Sequence, residues 1–346
     1  MIRTRITEMF GIKHPILLPG MSWISVPKLV AAVSNAGGLG ILATGPLNPA
    51  QTRKAIHEIR SLTDKPFGAN ATLLFPGAAQ NARVLLEEKV PVINFSLGKG
   101  DWLVEGAHRY GGKVIATVVN SRHGRRARDY GVDAVLATGH EAAAHGDHVT
   151  SLVLVPSLVD ALKVPVIAAG GFADGRGLAA ALALGADGVA MGTRLMTTKE
   201  SPLHDHYKKL SMEKDVYDTL YSDRFDGLPC RMMETAAAHR ARKTGLNLAA
   251  SFFNARDIAR QINVPFGKMF LGVIGSGWKN ARQLAFMANG FKAIRLATEE
   301  GDAEKGLLPV GQVQGLVHDE PSVAEAIERI VAEAVAVKEK IARMMT

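Results

Sequence analysis

Residues 166–177 read Val-Ile-Ala-Ala-Gly-Gly-Phe-Ala-Asp-Gly-Arg-Gly, and residues 189–194 read Val-Ala-Met-Gly-Thr-Arg. Each stretch begins as a short apolar run and continues into glycine, which is typical of a buried strand followed by a tight turn. In (β/α)8 barrels the loops after strands seven and eight often hold a phosphate group on their backbone N–H groups. A side chain in place of glycine would keep the phosphate away from these amides. We therefore predict a phosphate site, in preference to two turns that bind nothing.

The first two hundred residues repeat one unit, an apolar run followed by a longer amphipathic stretch. Buried parallel strands are continuously apolar, and their alternation with helices is typical of a parallel sheet. Eight strands are predicted: Ile16–Leu18, Leu39–Leu42, Phe67–Ala71, Val92–Phe95, Lys113–Val118, Ala134–Ala137, Val164–Ala168 and Gly188–Met191. Seven helices are predicted between them: Val26–Asn35, Pro49–Leu62, Ala78–Glu88, Trp102–Tyr110, Ser121–Tyr130, Leu152–Leu162 and Gly175–Leu184. Eight strands favour a closed (β/α)8 TIM barrel, of the α/β class, over an open doubly wound sheet.

Length and composition limit the remaining choices. The chain has 346 residues, a formal charge of +8 and one cysteine, Cys230. A barrel needs about 250 residues, so roughly a hundred are left for an insertion. A single cysteine excludes an intramolecular disulfide and Cys-rich metal sites. We find no secretory signal and no membrane span, and we expect a cytoplasmic enzyme.

The strand pattern stops near Ser201, and a strongly basic segment follows. Residues 239–295 contain ten Lys or Arg and a single acid, Asp257. Such a field suits a polyanionic partner, although a merely solvated helical surface explains it equally well. The phenylalanines of this segment fit packing better than base stacking, so we do not expect a nucleic-acid partner. An amphipathic helix over Ser322–Met345 is predicted to close the chain.

Three histidines and two acids fall within residues 138–149, after the sixth predicted strand. His140 and His145 are five residues apart, and on a helix they would point roughly 140° apart, so one ion could not bind both. We therefore predict no metal site. A histidine on a loop at this face suits proton transfer near neutral pH, because its ordinary pKa is close to 6.5. On these residues alone, a solvated loop histidine is the better interpretation.

Several motifs occur in the order typical of one flavoenzyme family. They are His14–Trp23, Val33–Leu42, Lys65–Asn70, Glu141–Gly146, Ile167–Gly177 with Met191–Arg194, and Gly311–Leu316. In these motifs the chain resembles the nitronate monooxygenase (2-nitropropane dioxygenase-like) family, which includes flavin-dependent enoyl-thioester reductases and NADH:quinone reductases. The resemblance spans nearly the whole chain and is specific as a set.

The resemblance implies an FMN-binding barrel formed by residues 1–205 and 296–346, covered by a basic helical lid domain of residues 206–295. It implies that the FMN phosphate binds to Gly170, Gly171, Gly192 and Thr193. The flavin ring would lie against Gly20 and Met21, within reach of Asn70. His145 stands where the family has its active-site histidine, as a base in nitronate oxidation or a proton donor in reduction.

The chain departs from the family at three places, two of which, Thr117 and Ala143, are candidate cofactor-binding positions. Thr117 replaces a lysine that relatives often carry beside the flavin, and Thr138 stands where an acid is common. Ala143 belongs to a run Ala142-Ala-Ala-His145, whereas the family commonly has two glycines before the histidine. A missing cation would destabilise anionic reduced flavin. These departures bear on the reaction more than on flavin binding.

Two enzymatic functions follow from the resemblance. The first, taken as the default, is an FMN-dependent nitronate monooxygenase that oxidises alkyl nitronates with O2. The alternative is a reductase that uses NAD(P)H as electron donor and reduces an enoyl thioester on CoA or acyl carrier protein, or a quinone. A binding-only barrel is disfavoured by His145. A homodimer is compatible with the sequence, which does not decide the oligomeric state.

Overall fold

A closed barrel of eight parallel strands forms the body of the protein. The computed structural model describes residues 2–143, 145–275 and 277–345. The strands are β1 (Ile16–Leu18), β2 (Leu39–Ala43), β3 (Gly68–Thr72), β4 (Val92–Ser96), β5 (Lys113–Val118), β6 (Ala134–Thr138), β7 (Val166–Ala169) and β8 (Gly188–Ala190). Each strand pairs with the next, and β1 also pairs with β8, with Ile16 opposite Val189. The predicted (β/α)8 barrel is confirmed, and the open sheet is excluded.

Helices alternate with these strands, as the sequence pattern predicts. They are α1 (Arg5–Phe10), α2 (Pro27–Asn35), α3 (Pro49–Leu62), α4 (Ala78–Glu87), α5 (Asp101–His108), α6 (Ser121–Asp129), α7 (Ser151–Ala161), α8 (Gly175–Ala183) and α9 (Gly192–Met196). Asn48 caps α3 by accepting a hydrogen bond from the Gln51 N–H, and Asp174 caps α8 by accepting one from the Gly177 N–H. Short polar side chains at these positions fix where the helices begin.

The core has two parts because successive side chains on a strand point to opposite faces. Leu17 lies in the cluster inside the barrel, with Ile41 and Ile115. Its neighbours Ile16 and Leu18 lie in the cluster between the strands and the outer helices. The side chains of α1 join the inner cluster. The carboxyl ends of the strands are therefore left to form the site.

Residues 205–295 follow the barrel strands, and we call them the covering segment because several of them line the cavity at the carboxyl ends of the strands. Its elements are α10 (Asp205–Glu213), β9 (Thr219–Ser222), β10 (Cys230–Met233), α11 (Ala236–Thr244), α12 (Leu248–Gln261), α13 (Phe266–Gly275) and α14 (Trp278–Arg295). β9 and β10 pair as an antiparallel hairpin, with Arg231 opposite Tyr221. The sequence pattern gave no strand here. The insertion is helical as predicted, apart from this hairpin.

The chain returns to the barrel through three more elements. They are a π-helical turn Leu296–Glu300, a 3-10 turn Gln312–Leu316 and the long helix α15 (Val323–Met344). α15 is the predicted closing helix and packs against α8 and α2. Ser322 begins it with a capping box that includes Glu325. Within the described residues, no helix combines the length and apolarity that crossing a bilayer requires.

Candidate active site

A cavity of about 300 Å³ opens at the carboxyl ends of the barrel strands. Its volume falls within the range typical of small-molecule sites. The cavity brings together every site residue predicted from the sequence: Gly20, Met21, Asn70, Thr117, Ala143, His145, Gly170, Gly171, Gly192 and Thr193. Ala144, in the predicted alanine run, lies outside the described residues. The roles of these residues remain predictions, but their placement around one cavity is a finding.

The glycines after β7 have backbone conformations that other residues rarely adopt. Gly170 has φ +99° and Gly171 has φ +83°. A Cβ on Gly170 would come within 3.1 Å of the Ala142 nitrogen and the Gly139 carbonyl oxygen. Among the described residues, no protein acceptor meets the N–H groups of Gly170, Gly171, Gly192 or Thr193. Four free amides around one cavity fit an anionic oxygen cluster such as a phosphate.

A carboxylate and a hydroxyl connect the histidine loop with this glycine loop. Glu141 accepts hydrogen bonds from the Ser151 N–H at 3.0 and 2.9 Å. The Ser151 hydroxyl donates to the Gly170 carbonyl at 2.7 Å. The late Gly311 motif also reaches this place, because the Gly311 N–H donates to Thr193 Oγ1 at 3.1 Å. Sequence reasoning did not identify the Glu141–Ser151 support.

The loop after β1 lies against β3. Asn70 Nδ2 donates to the Gly20 carbonyl at 3.4 Å, and Asn70 Oδ1 accepts from the Thr44 N–H at 3.1 Å. A Cβ on Gly20 would stand 2.6 Å from Asn70 Cγ, so glycine is required for this approach. The Met21 N–H is already bonded to Ser25 Oγ at 3.0 Å. The Met21 carbonyl accepts hydrogen bonds from the Ile24 and Ser25 N–H groups at 3.0 and 2.8 Å, so Met21 offers the cavity its side chain.

Polar and aromatic side chains line the floor and the opposite wall. Asn94 Nδ2 donates to Thr117 Oγ1 at 3.0 Å, so Thr117 sits in a neutral hydrogen-bonded pair instead of beside a cation. Trp23 lines the cavity with φ +61°, a strained conformation for a side chain of this size. Strain of this kind is found at functional sites. The Trp23 and Phe291 rings pack with centroids 4.4 Å apart.

His145 is paired with a carboxylate from the covering segment. Its Nε2 lies 2.7 Å from Asp226 Oδ2, and the two residues are 81 positions apart in sequence. About 26% of the His145 side chain remains exposed, toward the cavity. Burial lowers the pKa of His145, but the charge and hydrogen bond of Asp226 outweigh it, and the net shift is upward. The pair therefore favours a protonated imidazole near neutral pH.

Cys230 completes this cluster without forming a convincing metal site. The candidate ligand atoms of His145, Asp226 and Cys230 lie within 4.8 Å of one another. Cys230 Sγ lies 3.7 Å from Asp226 Oδ1. Burial, followed by the charge of Asp226, raises the pKa of the Cys230 thiol well above its usual range. Asp226 bonds to both His145 and Cys230, so these three residues fit a hydrogen-bonded network. Cys230 is buried within it.

The other two histidines of the loop point elsewhere. His140 Nδ1 lies 3.0 Å from the Asp147 carbonyl, and its ring packs against Tyr221 with centroids 4.5 Å apart. His148 is next to Tyr221 on the same side, with ring centroids 6.2 Å apart. Among the described histidines, His145 is the one that lines the cavity. This placement favours proton transfer by His145 over the solvated-loop interpretation.

The β9–β10 hairpin holds the histidine loop. Arg231 Nη2 donates to the His140 carbonyl at 2.9 Å, and the Arg231 N–H donates to the Ala143 carbonyl at 3.3 Å. The Tyr221 hydroxyl donates to the Gly146 carbonyl at 2.9 Å. Burial lowers the pKa of the Arg231 guanidinium, while the neighbouring Tyr221 and Glu141 raise it less. The covering segment therefore supplies Asp226 and also positions the loop that carries His145.

Comparison with known proteins assigns the family. The family model described as nitronate monooxygenase matches residues 3–333. The chain belongs to the nitronate monooxygenase family. It is a flavin oxidoreductase of this family, as the sequence motifs predict. The four free amides and the largely apolar walls of the cavity fit the phosphate and the ring of a flavin mononucleotide.

Relatives of this nitronate monooxygenase family member carry different activity names. A (3aS,4S,5R,7aS)-5-hydroxy-7a-methyl-1-oxo-octahydro-1H-indene-4-carboxyl-CoA dehydrogenase from Rhodococcus jostii is 36% identical, and the match covers 96% of each chain. A probable nitronate monooxygenase from Staphylococcus saprophyticus is 30% identical, over 69% of this chain and 81% of that one. Among solved structures, FabK from Thermotoga maritima is 37% identical, with a TM-score of 0.82 over 99% of this chain and 100% of that one.

Proposed function

We propose that the protein reduces the α,β double bond of an acyl thioester carried on CoA or acyl carrier protein. FMN would be its cofactor and NAD(P)H its electron donor. The observation that carries this proposal is the His145–Asp226 pair, which presents a proton donor inside the flavin-sized cavity. The reaction class goes beyond what the family establishes. NAD(P)H as donor fits a cytoplasmic location.

The thioester is favoured over a small nitronate by two further observations. The relative that is 36% identical over 96% of the chain is named as a dehydrogenase of a CoA thioester, whereas two relatives named as nitronate monooxygenases are 30% and 29% identical over 69% and 84% of the chain. The covering segment carries ten cations against one acid over residues 239–295. Such a field attracts a polyanionic carrier and is not needed for a small monoanion.

The residues of the cavity have separable roles in this reaction. FMN, when bound, supplies a hydride equivalent derived from NAD(P)H. The N–H groups of Gly170, Gly171, Gly192 and Thr193 would hold its phosphate, and Gly20, Met21, Asn70, Thr117 and Ala143 would surround its ring. Apolar side chains such as Leu136 and Phe172 exclude water from the reacting carbon atoms.

His145 moves the proton. Its Nε2 is bonded to Asp226, and among the described residues none is bonded to Nδ1, so Nδ1 would be the ring nitrogen that reaches the substrate. The thioester gains a hydride at Cβ and a proton from His145 Nδ1 at Cα. The carbon–carbon π bond breaks, two C–H bonds form and NAD(P)H becomes NAD(P)⁺. Asp226 is a positioning residue, because it stabilises the imidazolium before the proton leaves.

Oxidation of an alkyl nitronate with O2 is the second candidate. It is favoured by the description of the matching family model and by a cationic His145, which would attract an anionic nitronate. Here electrons leave the substrate and pass through the flavin to O2, and no pyridine nucleotide takes part. The two candidates therefore differ in the compound that first reduces the flavin.

Anaerobic mixing of the flavin-loaded protein distinguishes the candidates. NADH, NADPH and propyl-2-nitronate are added separately, and the flavin absorbance is followed. We expect a pyridine nucleotide to bleach the flavin and 2-butenoyl-CoA to restore its colour afterwards. Bleaching by the nitronate without bleaching by either nucleotide would assign the second candidate. Recovery of colour with a quinone and not with the thioester would assign a quinone reductase.

A further inference from the structure

A second cavity, of about 320 Å³, lies between helices α12, α13 and α14 of the covering segment. Its wall includes the rings of Phe252, Phe266 and Phe270, which pack with centroids 5.1 to 5.7 Å apart. Apart from Trp278, the polar side chains among its described lining residues are Ser251 and Arg282. We call this cavity the lid chamber. Its composition suits a purely apolar group.

The lid chamber adjoins the candidate active site. Phe75, Met287 and Phe291 line both cavities. The Phe291 ring lies 6.0 Å from that of Phe75 and 4.4 Å from that of Trp23, measured between centroids. A ligand in the chamber therefore contacts the same aromatic side chains that wall the site around His145. A group bound in the chamber would therefore lie directly beside the reacting part of the site.

The outer wall of the chamber is largely exposed to solvent. Helix α13 contains no buried residue, although its sequence is largely apolar. Leu271 is 70% exposed and Trp278, at the start of α14, is 78% exposed. Contiguous exposed apolar surface of this kind marks a binding site in a water-soluble protein.

Charge identifies the occupant. Most of the chamber's lining residues belong to residues 239–295, which contain ten cations and one acid, and Arg282 lines the chamber itself. A two-fold contact through this surface would place the basic segments of two copies against each other, which like charges oppose. The occupant is therefore apolar and anionic. A concave chamber beside the active site accepts a chain-like molecule, whereas a flat bilayer would not fill it.

We propose that the lid chamber binds the acyl body of the thioester substrate, while the lid cations attract the phosphates or carboxylates of its carrier. This inference rests on the proposed function, and it specifies that function: the substrate is a thioester with a long or bulky apolar acyl group. Phe291 and Met287 then lie beside the acyl chain between the reacting carbons and the chamber. Each methylene buried there strengthens binding by about fourfold.

Calorimetric titration of the FMN-loaded protein with saturated thioesters tests the chamber without requiring turnover. We expect dodecanoyl-CoA, below its micelle concentration, to bind at least about a hundredfold more tightly than butanoyl-CoA. Ala255 lines the chamber, so Ala255→Trp should remove most of this difference and leave butanoyl-CoA binding unchanged. Ala249→Trp is the matched control, because Ala249 is exposed on the same helix and does not line the chamber.

Equal affinity for the two thioesters, or equal effects of the two variants, would overturn the proposal. If the protein binds phosphatidylglycerol vesicles and shows no preference for acyl length, the surface is a membrane-binding site instead. If the protein prefers the longer acyl group but reduces no enoyl thioester, the chamber proposal stands and the proposed function is wrong. If the protein reduces 2-butenoyl-CoA but acyl length does not affect binding, the proposed function stands and the chamber proposal is wrong.

Discussion

At the scale of single residues, the proposed chemistry depends on one hydrogen bond. His145 Nε2 and Asp226 Oδ2 are 2.7 Å apart, and the side chain of Asp226 is largely buried, so water does not screen the pair strongly. Asp226 therefore raises the pKa of His145 despite its burial. A group with a raised pKa stays protonated to a higher pH and loses its proton as the pH rises through that value.

Replacing Asp226 by asparagine should change the pH dependence of turnover. Asp226→Asn removes the charge that raises the pKa of His145, so the fall in kcat/KM on the alkaline side should move to lower pH. At neutral pH we expect at least about tenfold slower turnover. Asp223→Asn is the control, because Asp223 is exposed on the same loop. An unchanged alkaline limb would remove Asp226 from this role.

Replacing Gly170 should separate backbone strain from cofactor binding. Gly170→Ala places a side chain at φ +99° and against Gly139 and Ala142, at a cost of about 1 to 3 kcal/mol in the free energy of unfolding. Gly111→Ala is a matched control, since Gly111 has φ +81° and open space around it. Both variants should lose stability in urea titrations, but only Gly170→Ala should weaken FMN binding. Equal FMN affinity in both would contradict the phosphate site.

At the scale of elements, the hairpin and the histidine loop form one unit. The sequence predicts the barrel strands well because strands such as β2 and β7 are continuous apolar runs. It does not predict the hairpin, because β10 carries Arg231, whose burial depends on acceptors in a distant loop. The glycines and His145 are recognisable locally, from strand ends and a family motif. Asp226 is not, since nothing in its own segment indicates that it meets His145 across 81 residues.

Arg231 provides the test of this unit. Arg231→Met removes donors to His140 and Thr219, each at 2.9 Å, and leaves a buried carbonyl without its partner. We expect faster amide hydrogen exchange over residues 139–149 and a lower kcat, with FMN still bound. Arg224→Met serves as the control, because Arg224 bonds to the Arg242 carbonyl at the surface. Unchanged exchange in the loop would show that the hairpin does not hold it.

At the scale of the whole molecule, the barrel supplies the cofactor amides and the covering segment supplies charge, apolar surface and Asp226. Residues 239–295 carry a net charge of +9, from ten cations and one acid. The formal charge of the whole chain is +8, so this segment accounts for all of the net positive charge. A field of this origin accelerates the encounter with a polyanion and is screened by salt, with a Debye length of about 10 Å at roughly 0.1 M.

Added salt should therefore slow the encounter with the charged carrier and leave binding of the uncharged acyl group unchanged. We expect kcat/KM for 2-butenoyl-CoA to fall on the order of tenfold between low and high salt. The uncharged N-acetylcysteamine thioester of the same acid should show little change. Parallel salt dependence for both substrates would rule out steering of the carrier by the basic segment.

The most direct test is a single turnover of the reduced protein with and without His145. The flavin is reduced anaerobically, 2-butenoyl-CoA is added, and recovery of the oxidised flavin absorbance is timed. We predict that His145→Ala retains FMN but slows this recovery by at least about a hundredfold. Recovery at the wild-type rate in His145→Ala would contradict the claim that His145 donates the proton.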